Sequence, residues 1–278
     1  WLGLPQLPLR RAPDETELRM RIVSMVPSWT ETFIACGLDV VGRTRFCIHP
    51  SKKVKSIPAV GGTKDIDWLK VAACKPDLLI LDREENPLSM SEESPIETFA
   101  THVTRTKDVG PELERLVAFL GERVGGEAKA RLEAMAARWR KIDAAGPRRL
   151  ANWSELPGVI EWLTPKPSEI SIPVVYAIWK DPWMAPARGT FVASMLEMAG
   201  IPQERLVPVG AAKYPKFDPS ALPANSLYLM SSEPYPFHKR KDKLALPEGV
   251  RAAIVDGESF GWFGLRSLEF LESDGNRR

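Results

Sequence analysis

Residues 127–145 run without a glycine or a proline and carry Ala128, Leu132, Met135, Ala136, Trp139 and Ile142 along one side. That spacing marks one face of a helix, and 19 residues at about 1.5 Å each make a rod of roughly 28 Å. On both sides of the rod, short β-rich runs alternate with helical stretches. A chain with an unbroken helix between two alternating halves is restricted to two α/β lobes with a stiff connector.

Before the rod, RIVSMV (21–26), 40–44, PDLLIL (76–81) and 102–106 read as strands. The segment SWTETFIACGL reads as a helix, capped by Ser28 or Thr30 and stopped by Gly37. A shorter helix is expected over 66–74. Leu113, Leu116, Val117, Leu120 and Val124 mark another helix from Pro111, interrupted at Gly125-Gly126. After the rod, residues 146–173 hold several prolines and little periodicity, an irregular insertion. Strands follow at 174–179, 226–230 and 251–255, with helices at 190–200 and 265–271. Continuous apolar strands imply parallel sheets covered by helices on both faces. The expected organisation is an N-terminal extension (1–20), a first α/β lobe (21–125), the interlobe helix (126–145) and a second α/β lobe (146–278) that contains the 146–173 insertion.

Composition removes whole classes of function. The 278 residues suffice for about two domains. A net charge of +2 gives no basic face for nucleic acid, and no apolar run approaches the ~20 residues of a membrane span. Cys36, Cys47 and Cys74 form no CxxC, so reduced, packed thiols are expected, with a single disulfide as the alternative. Residues 1–19 lack the apolar core of a secretory signal. They read as a mature end after cleavage, a remnant, or a leader upstream of a start at Met20, which leaves the compartment open.

The two halves echo each other. A strand, a Trp-containing loop and TFIACGL (32–38) correspond to a strand, a Trp-containing loop and TFVASMLEMAGI (190–201). DLLILDREENP (77–87) aligns with SLYLMSSEPYP (226–236), placing Glu84 opposite Glu233. Parallel α/β sheets present ligands at the carboxyl ends of their strands. The candidate segments are therefore PSWTE, RFCIHP, GGTKD and DREENP in the first half, and WKDPWMAPARGT, SSEPYPFH and DGESFGWFG in the second. Their aromatic side chains suit a large, flat ligand. Trp29, Trp179, Trp183 and Trp262 are expected for the most part to line one interlobe groove.

Other motifs are weaker. Cys47 and His49 form a thiol–imidazole candidate without a third, orienting residue; a packed cysteine and a surface or ligand-facing histidine is the plainer reading. Residues 61–64 resemble a fragment of a phosphate cradle but lack the full motif, and read as a tight turn. His49, His102 and His238 have no metal-ligand spacing, so no metal site is expected. Glu84, Glu85 and Glu233 are either solvated loop charges or one acidic knob per lobe, both facing the basic sockets of a two-fold partner.

RIVSMVPSWTETFIACGL, VVGRTRFCIHP, IPAVGGTKD, KPDLLILDREEN, YAIWKDPWMA, RGTFVASMLEMAG, SSEPYPF and DGESFGWFG together resemble the substrate-binding proteins of ABC transporters for cobalamin and iron–siderophores. These are the helical-backbone receptors, and the likeness is greatest to the cobalamin-binding-like branch. It covers about residues 21–271. The resemblance implies two Rossmann-like lobes with parallel sheets, joined by a long rigid backbone helix as in class III periplasmic binding proteins. It also implies a ligand in the cleft with little hinge closure, no catalytic residues and no resident cofactor. The ligand would be cobalamin or another corrinoid, haem or a ferric siderophore. The partner would be an ABC transporter permease, and the protein a monomer in the periplasm or another extracytoplasmic space. Ligand-contacting positions carry onto Ser28, Trp29, Phe46 and Thr63 in the first half. In the second half they carry onto Trp179, Trp183, Phe260 and Trp262. Permease-docking carboxylates carry onto Glu84 or Glu85 and Glu233. Two rival readings remain: a cytoplasmic sensor or carrier on the same scaffold, and an enzyme using Cys47 and His49.

Overall fold

The computed structural model describes residues 20–275 except 209, 211 and 245. The extension expected over 1–20 lies, apart from Met20, outside the described residues. The first sheet contains β1 (Arg21–Ser24), β2 (Asp39–Arg43), β3 (Leu78–Asp82) and β4 (Glu97–Thr101). Its order is β2-β1-β3-β4, with every pair parallel. The second contains β5 (Val159–Trp162), β6 (Val174–Ala177), β7 (Leu227–Ser231) and β8 (Arg251–Val255), in the order β5-β8-β7-β6. Strands β6, β7 and β8 are parallel, and β5 runs antiparallel on the edge. Every residue of β3, β6 and β7 is buried. Strands covered on both faces must be apolar throughout, which is why they read as continuous hydrophobic runs.

The helices of the first half are α1 (Pro27–Cys36), α2 (Ser51–Val54), α3 (Trp68–Cys74), α4 (Ser89–Glu92) and α5 (Thr106–Leu120). Pro27 opens α1, and Gly37 ends it in the left-handed conformation (φ 86°), returning its N–H to Ile34 and Phe33 carbonyls. The Asp67 side chain caps α3 by accepting from the Leu69 and Lys70 N–H groups. The connector is α6 (Gly126–Ala145), about 30 Å long. It is followed by α7 (Phe191–Met198), α8 (Gly257–Gly261) and α9 (Leu265–Gly275). No helix among the described residues is long and apolar enough to cross a membrane.

Three expectations are corrected. Ser28 and Thr30 lie inside α1, whose N-cap is Val26 with no side-chain cap. The strand expected at 102–106 is β4 at Glu97–Thr101, because α5 already starts at Thr106. Asp108 nucleates that start by accepting from the Thr104 and Arg105 N–H groups, five residues ahead of Pro111. The 146–173 stretch is not wholly irregular: it supplies edge strand β5 and buries Trp153.

The lobes share one hydrophobic core, with further clusters on the outer face of each sheet. Helix α6 packs on α5, α1 and α9. Trp139 Nε1 donates to the Gly264 carbonyl at 3.0 Å, and Arg138 pairs with Glu272. Across the same junction Thr106 N–H donates to Ser194 Oγ, and Leu265 N–H to Thr32 Oγ1, each at 3.0 Å. Glu31 and Arg266 form a two-toothed ion pair at 2.6 and 3.0 Å. Gly264 sits at φ +89°, where a Cβ would overlap Thr32 Oγ1. The close approach of α1 and α9 therefore depends on glycine at this position.

Candidate functional site

A cleft of about 490 Å³ opens where the carboxyl ends of both sheets face each other. From the first lobe, Pro27 follows β1, and Arg45, Phe46 and Ile48 follow β2. From the second lobe come Tyr176 and Ile178 of the β6 end, Ser231 and Glu233 of the β7 end, and Trp262 beyond α8. Phe46 is 50%, Ile48 46% and Tyr214 46% exposed, so the mouth carries bare apolar surface. Gly257 lies in the wall, where a Cβ would collide with Ser231 Oγ and the Glu233 backbone. The bend that turns Glu233 into the cleft thus needs a residue without a side chain beside it.

Polar links span the two lobes around this cleft. His49 Nε2–H donates to the Glu258 carboxylate at 2.9 Å, and Arg266 holds the same carboxylate at 3.1 Å. Trp262 meets His49 edge to face at 5.4 Å and lies under the Arg266 guanidinium. On the other flank, Glu84 of the first lobe pairs with Lys213 of the second and with His102.

The sequence-derived residues divide sharply. Phe46, Thr63 and Trp262 line the cleft. Trp29 does not: it is fully buried, its Nε1 donates to Thr101 Oγ1 at 2.9 Å, and its ring packs on Phe33 and Phe263 in the shared core. Ser28 is buried in the first turn of α1, where its carbonyl accepts from Thr32 Oγ1. Phe260 is fully buried against Tyr176 and Phe270. Trp183 stacks on Phe237 in the second lobe's outer cluster. Trp179 is 40% exposed but rests on Tyr235, away from the lining. The expectation that most of four tryptophans share the groove is therefore corrected to one, Trp262. Arg45, Ile48, Tyr176 and Ser231 lie at strand ends and were open to the same logic. Tyr214 belongs to a segment with no strand before it, and no sequence signal marks it.

The three carboxylates are not exposed knobs. Burial acts to raise the Glu84 carboxyl, but hydrogen bonds from Lys213 and His102 outweigh it and hold the group below its usual value. Burial, with the charge of Asp82 in the same direction, pushes Glu85 up to about 8. Glu233 lines the cleft and is pushed up to about 7 by burial and the charge of Glu258. The matched positions after β3 and β7 are real, yet the side chains turn inward or find partners. Asp82 organises the first of these loops: its carboxylate accepts from Thr101 Oγ1 at 2.6 Å and from the Glu84 N–H at 2.9 Å.

Cys36, Cys47 and Cys74 are free and buried. Cys47 Sγ lies 3.1 Å from both Thr30 and Thr44 Oγ1, and burial pushes its thiol up. His49 is engaged by Glu258 instead. The pair is thus built against thiolate formation. Native protein at neutral pH is expected to alkylate at Cys47 far more slowly than free cysteine, as mass mapping after iodoacetamide would show. Rapid modification would restore the thiol–imidazole reading. Among the described residues, no group of three His, Cys, Asp or Glu side chains could hold a metal ion.

Two mainly parallel sheets on one core, an unbroken bridging helix and a cleft at both carboxyl edges define a two-lobed receptor for a small molecule. The chain belongs to the periplasmic binding protein family, whose sequence profile matches residues 22–203. No curated relative matches it in sequence. Among solved structures it is similar to the periplasmic vitamin B12 binding protein BtuF of Vibrio cholerae, with TM-score 0.60 and 14% identity over 92% of this chain and 95% of that one. It is also similar to the periplasmic heme-binding protein RhuT of Roseiflexus sp. RS-1 (TM-score 0.63, 20% identity, 91% and 95% covered). A third is the siderophore-binding protein FhuD of Vibrio cholerae bound to Fe3+–Desferal (TM-score 0.54, 18% identity, 92% and 99% covered). At these identities the likeness is one of fold.

Proposed function

We propose that the protein captures a partly apolar metal chelate (a corrinoid, a haem or a ferric siderophore) in the interlobe cleft, and delivers it outside the cytoplasm to the permease of an ABC importer. The observation that carries this reading is the cleft itself. It has the volume of a small-molecule site, and its walls are aromatic and apolar with few polar groups. The bare faces of Phe46, Ile48 and Tyr214 would be covered by such a ligand. Fold relatives named for vitamin B12, heme and Fe3+–Desferal support the same ligand class. The metal in this reading arrives inside its chelate. The shared core and the α6 bridge support capture with little movement of one lobe against the other. The protected Cys47 thiol supports binding rather than catalysis.

Titration with cyanocobalamin, haemin and ferric desferrioxamine tests this directly. One of them is expected to bind with a Kd of about 1 μM or tighter and to quench tryptophan fluorescence. Trp262 is the indole in the wall, so Trp262→Phe should weaken binding and reduce the quench, the other tryptophans still contributing by energy transfer. Failure of all three to bind below about 100 μM would refute the reading.

A further inference from the structure

Arg45 is the one cationic side chain lining the cleft among the described residues. Both of its outer nitrogens are committed to Asp65, at 2.9 and 2.7 Å. Cations just outside the wall are engaged as well: Lys213 by Glu84, Arg266 by Glu31 and Glu258, and Lys64 by the Glu84 carbonyl at 3.5 Å. The acidic side chain in the lining is Glu233. Trp262 and His49 favour its charged form, while burial and the charges of Glu258 and Asp256 oppose it. Negative charge therefore dominates this wall, with His49 already donating to Glu258.

A ligand carboxylate entering the cleft finds one guanidinium in the lining, Arg45, whose charge Asp65 already balances, and on the opposite wall it meets Glu233 with Glu258 behind it. Like charges brought together away from water are costly, and such a repulsive element is how a site rejects a wrong partner. A carboxamide avoids the conflict. Its N–H donates to an ionised carboxylate, and its carbonyl accepts from a protonated one.

We propose that Glu233 makes the cleft select macrocycles with a carboxamide periphery over those bearing carboxylates. This rests on reading the cleft as a metal-chelate site and narrows the ligand class within it. Because the Glu233 carboxyl is held up to about 7, rejection of carboxylates strengthens as pH rises through neutrality. Below that point Glu233 takes up its proton and the rejection weakens.

Matched ligand pairs isolate the effect: dicyanocobinamide against dicyanocobyrinic acid, and haemin diamide against haemin. Each pair keeps its ring and metal and exchanges amides for carboxylates. Equilibrium dialysis of the full chain at pH 6 and pH 8 gives the four affinities. In the pair whose ring the cleft accepts, the amide form is expected to bind at least about tenfold tighter at pH 8, with a smaller ratio at pH 6. Glu233→Gln should shrink the pH 8 ratio and its pH dependence, and Glu233→Lys should invert the preference. A merely structural role for Glu233 would weaken both members alike and leave the ratio unmoved. Equal affinities within the accepted pair, or a ratio unchanged in Glu233→Gln, would overturn the proposal while leaving the metal-chelate reading intact. Absence of binding by all four ligands would overturn this proposal, and only if ferric desferrioxamine also failed to bind would it remove the metal-chelate reading as well.

Discussion

Trp139→Ala is expected to destabilise the protein by about 3–5 kcal/mol, the range for deleting a large buried aromatic. The indole is fully buried at the centre of the shared core, on the connector α6. Truncation would open a cavity that helices on three sides cannot collapse into without moving both lobes. It would also strip the Gly264 carbonyl of its donor, and an unsatisfied buried carbonyl adds to the loss. Trp139→Phe, which keeps most of the volume but not the N–H, should fall between wild type and alanine. Urea unfolding followed by circular dichroism measures both through the midpoint at constant slope. A loss below about 1.5 kcal/mol for the alanine variant would show that α6 and the second lobe are not held together at this point.

Stability is expected to fall between about pH 4.5 and pH 8, and Glu85 to account for much of the fall. Burial, reinforced by Asp82, raises its carboxyl from 4.5 to about 8 in the folded chain. Below pH 4.5 the group is protonated in both states and contributes nothing. Between the two values the unfolded chain releases its proton while the folded chain retains it, so unfolding is favoured progressively. Above about 8 both states are ionised and the full penalty applies. At about 1.4 kcal/mol per unit this amounts to several kcal/mol, roughly 5 at most. Glu233, raised to about 7, adds in the same direction over a narrower window. Glu85→Gln should therefore unfold at higher urea than wild type at pH 8.5 and at nearly the same urea at pH 4.5. A variant that is no more stable at pH 8.5 would sink this assignment.

Glu84, Glu85 and Glu233 show how far a repeat can be read. Aligning DLLILDREENP with SLYLMSSEPYP identifies equivalent strand ends, and the parallel register of β3 and β7 in their sheets agrees with it. Side-chain exposure does not follow from that equivalence. Lys213, which pairs with Glu84, is 129 residues away in sequence, and Glu258, which helps raise Glu233, sits on a different strand end. Charge state at these positions is set by groups that only the tertiary fold brings near.

Much of the architecture is written locally. Strands buried on both faces must be apolar without interruption, so β3, β6, β7 and β8 announce themselves. A helix wet on one side must repeat at about 3.6 residues, so α5 and α6 do too. Parallel sheets then oblige the ligand site to lie at the carboxyl ends of the strands, and five of the seven loops so chosen contribute to the cleft lining, whereas 82–87 and 179–190 do not. Edge strands carry no such obligation. β4 has Phe99 as its only large apolar side chain, and β5 alternates weakly, so neither carries a hydrophobic signal that marks its place in the sequence.

What the sequence could not determine is which aromatic side chains face the ligand. Trp29, Trp183 and Trp262 all sit near the ends of strands, and nothing in their neighbours distinguishes them. Trp29 is claimed by Phe33 and Phe263 and by Thr101 Oγ1, Trp183 by Phe237, and Trp262 is left in the wall beside His49 and Glu233. Hydrophobic periodicity fixes the face of an element that is buried, because burial on one's own element is a local matter. Whether a side chain beyond the end of that element meets core, solvent or cleft depends on what the opposite lobe brings to it, and that is decided only when α6 and the shared core set the two lobes in place.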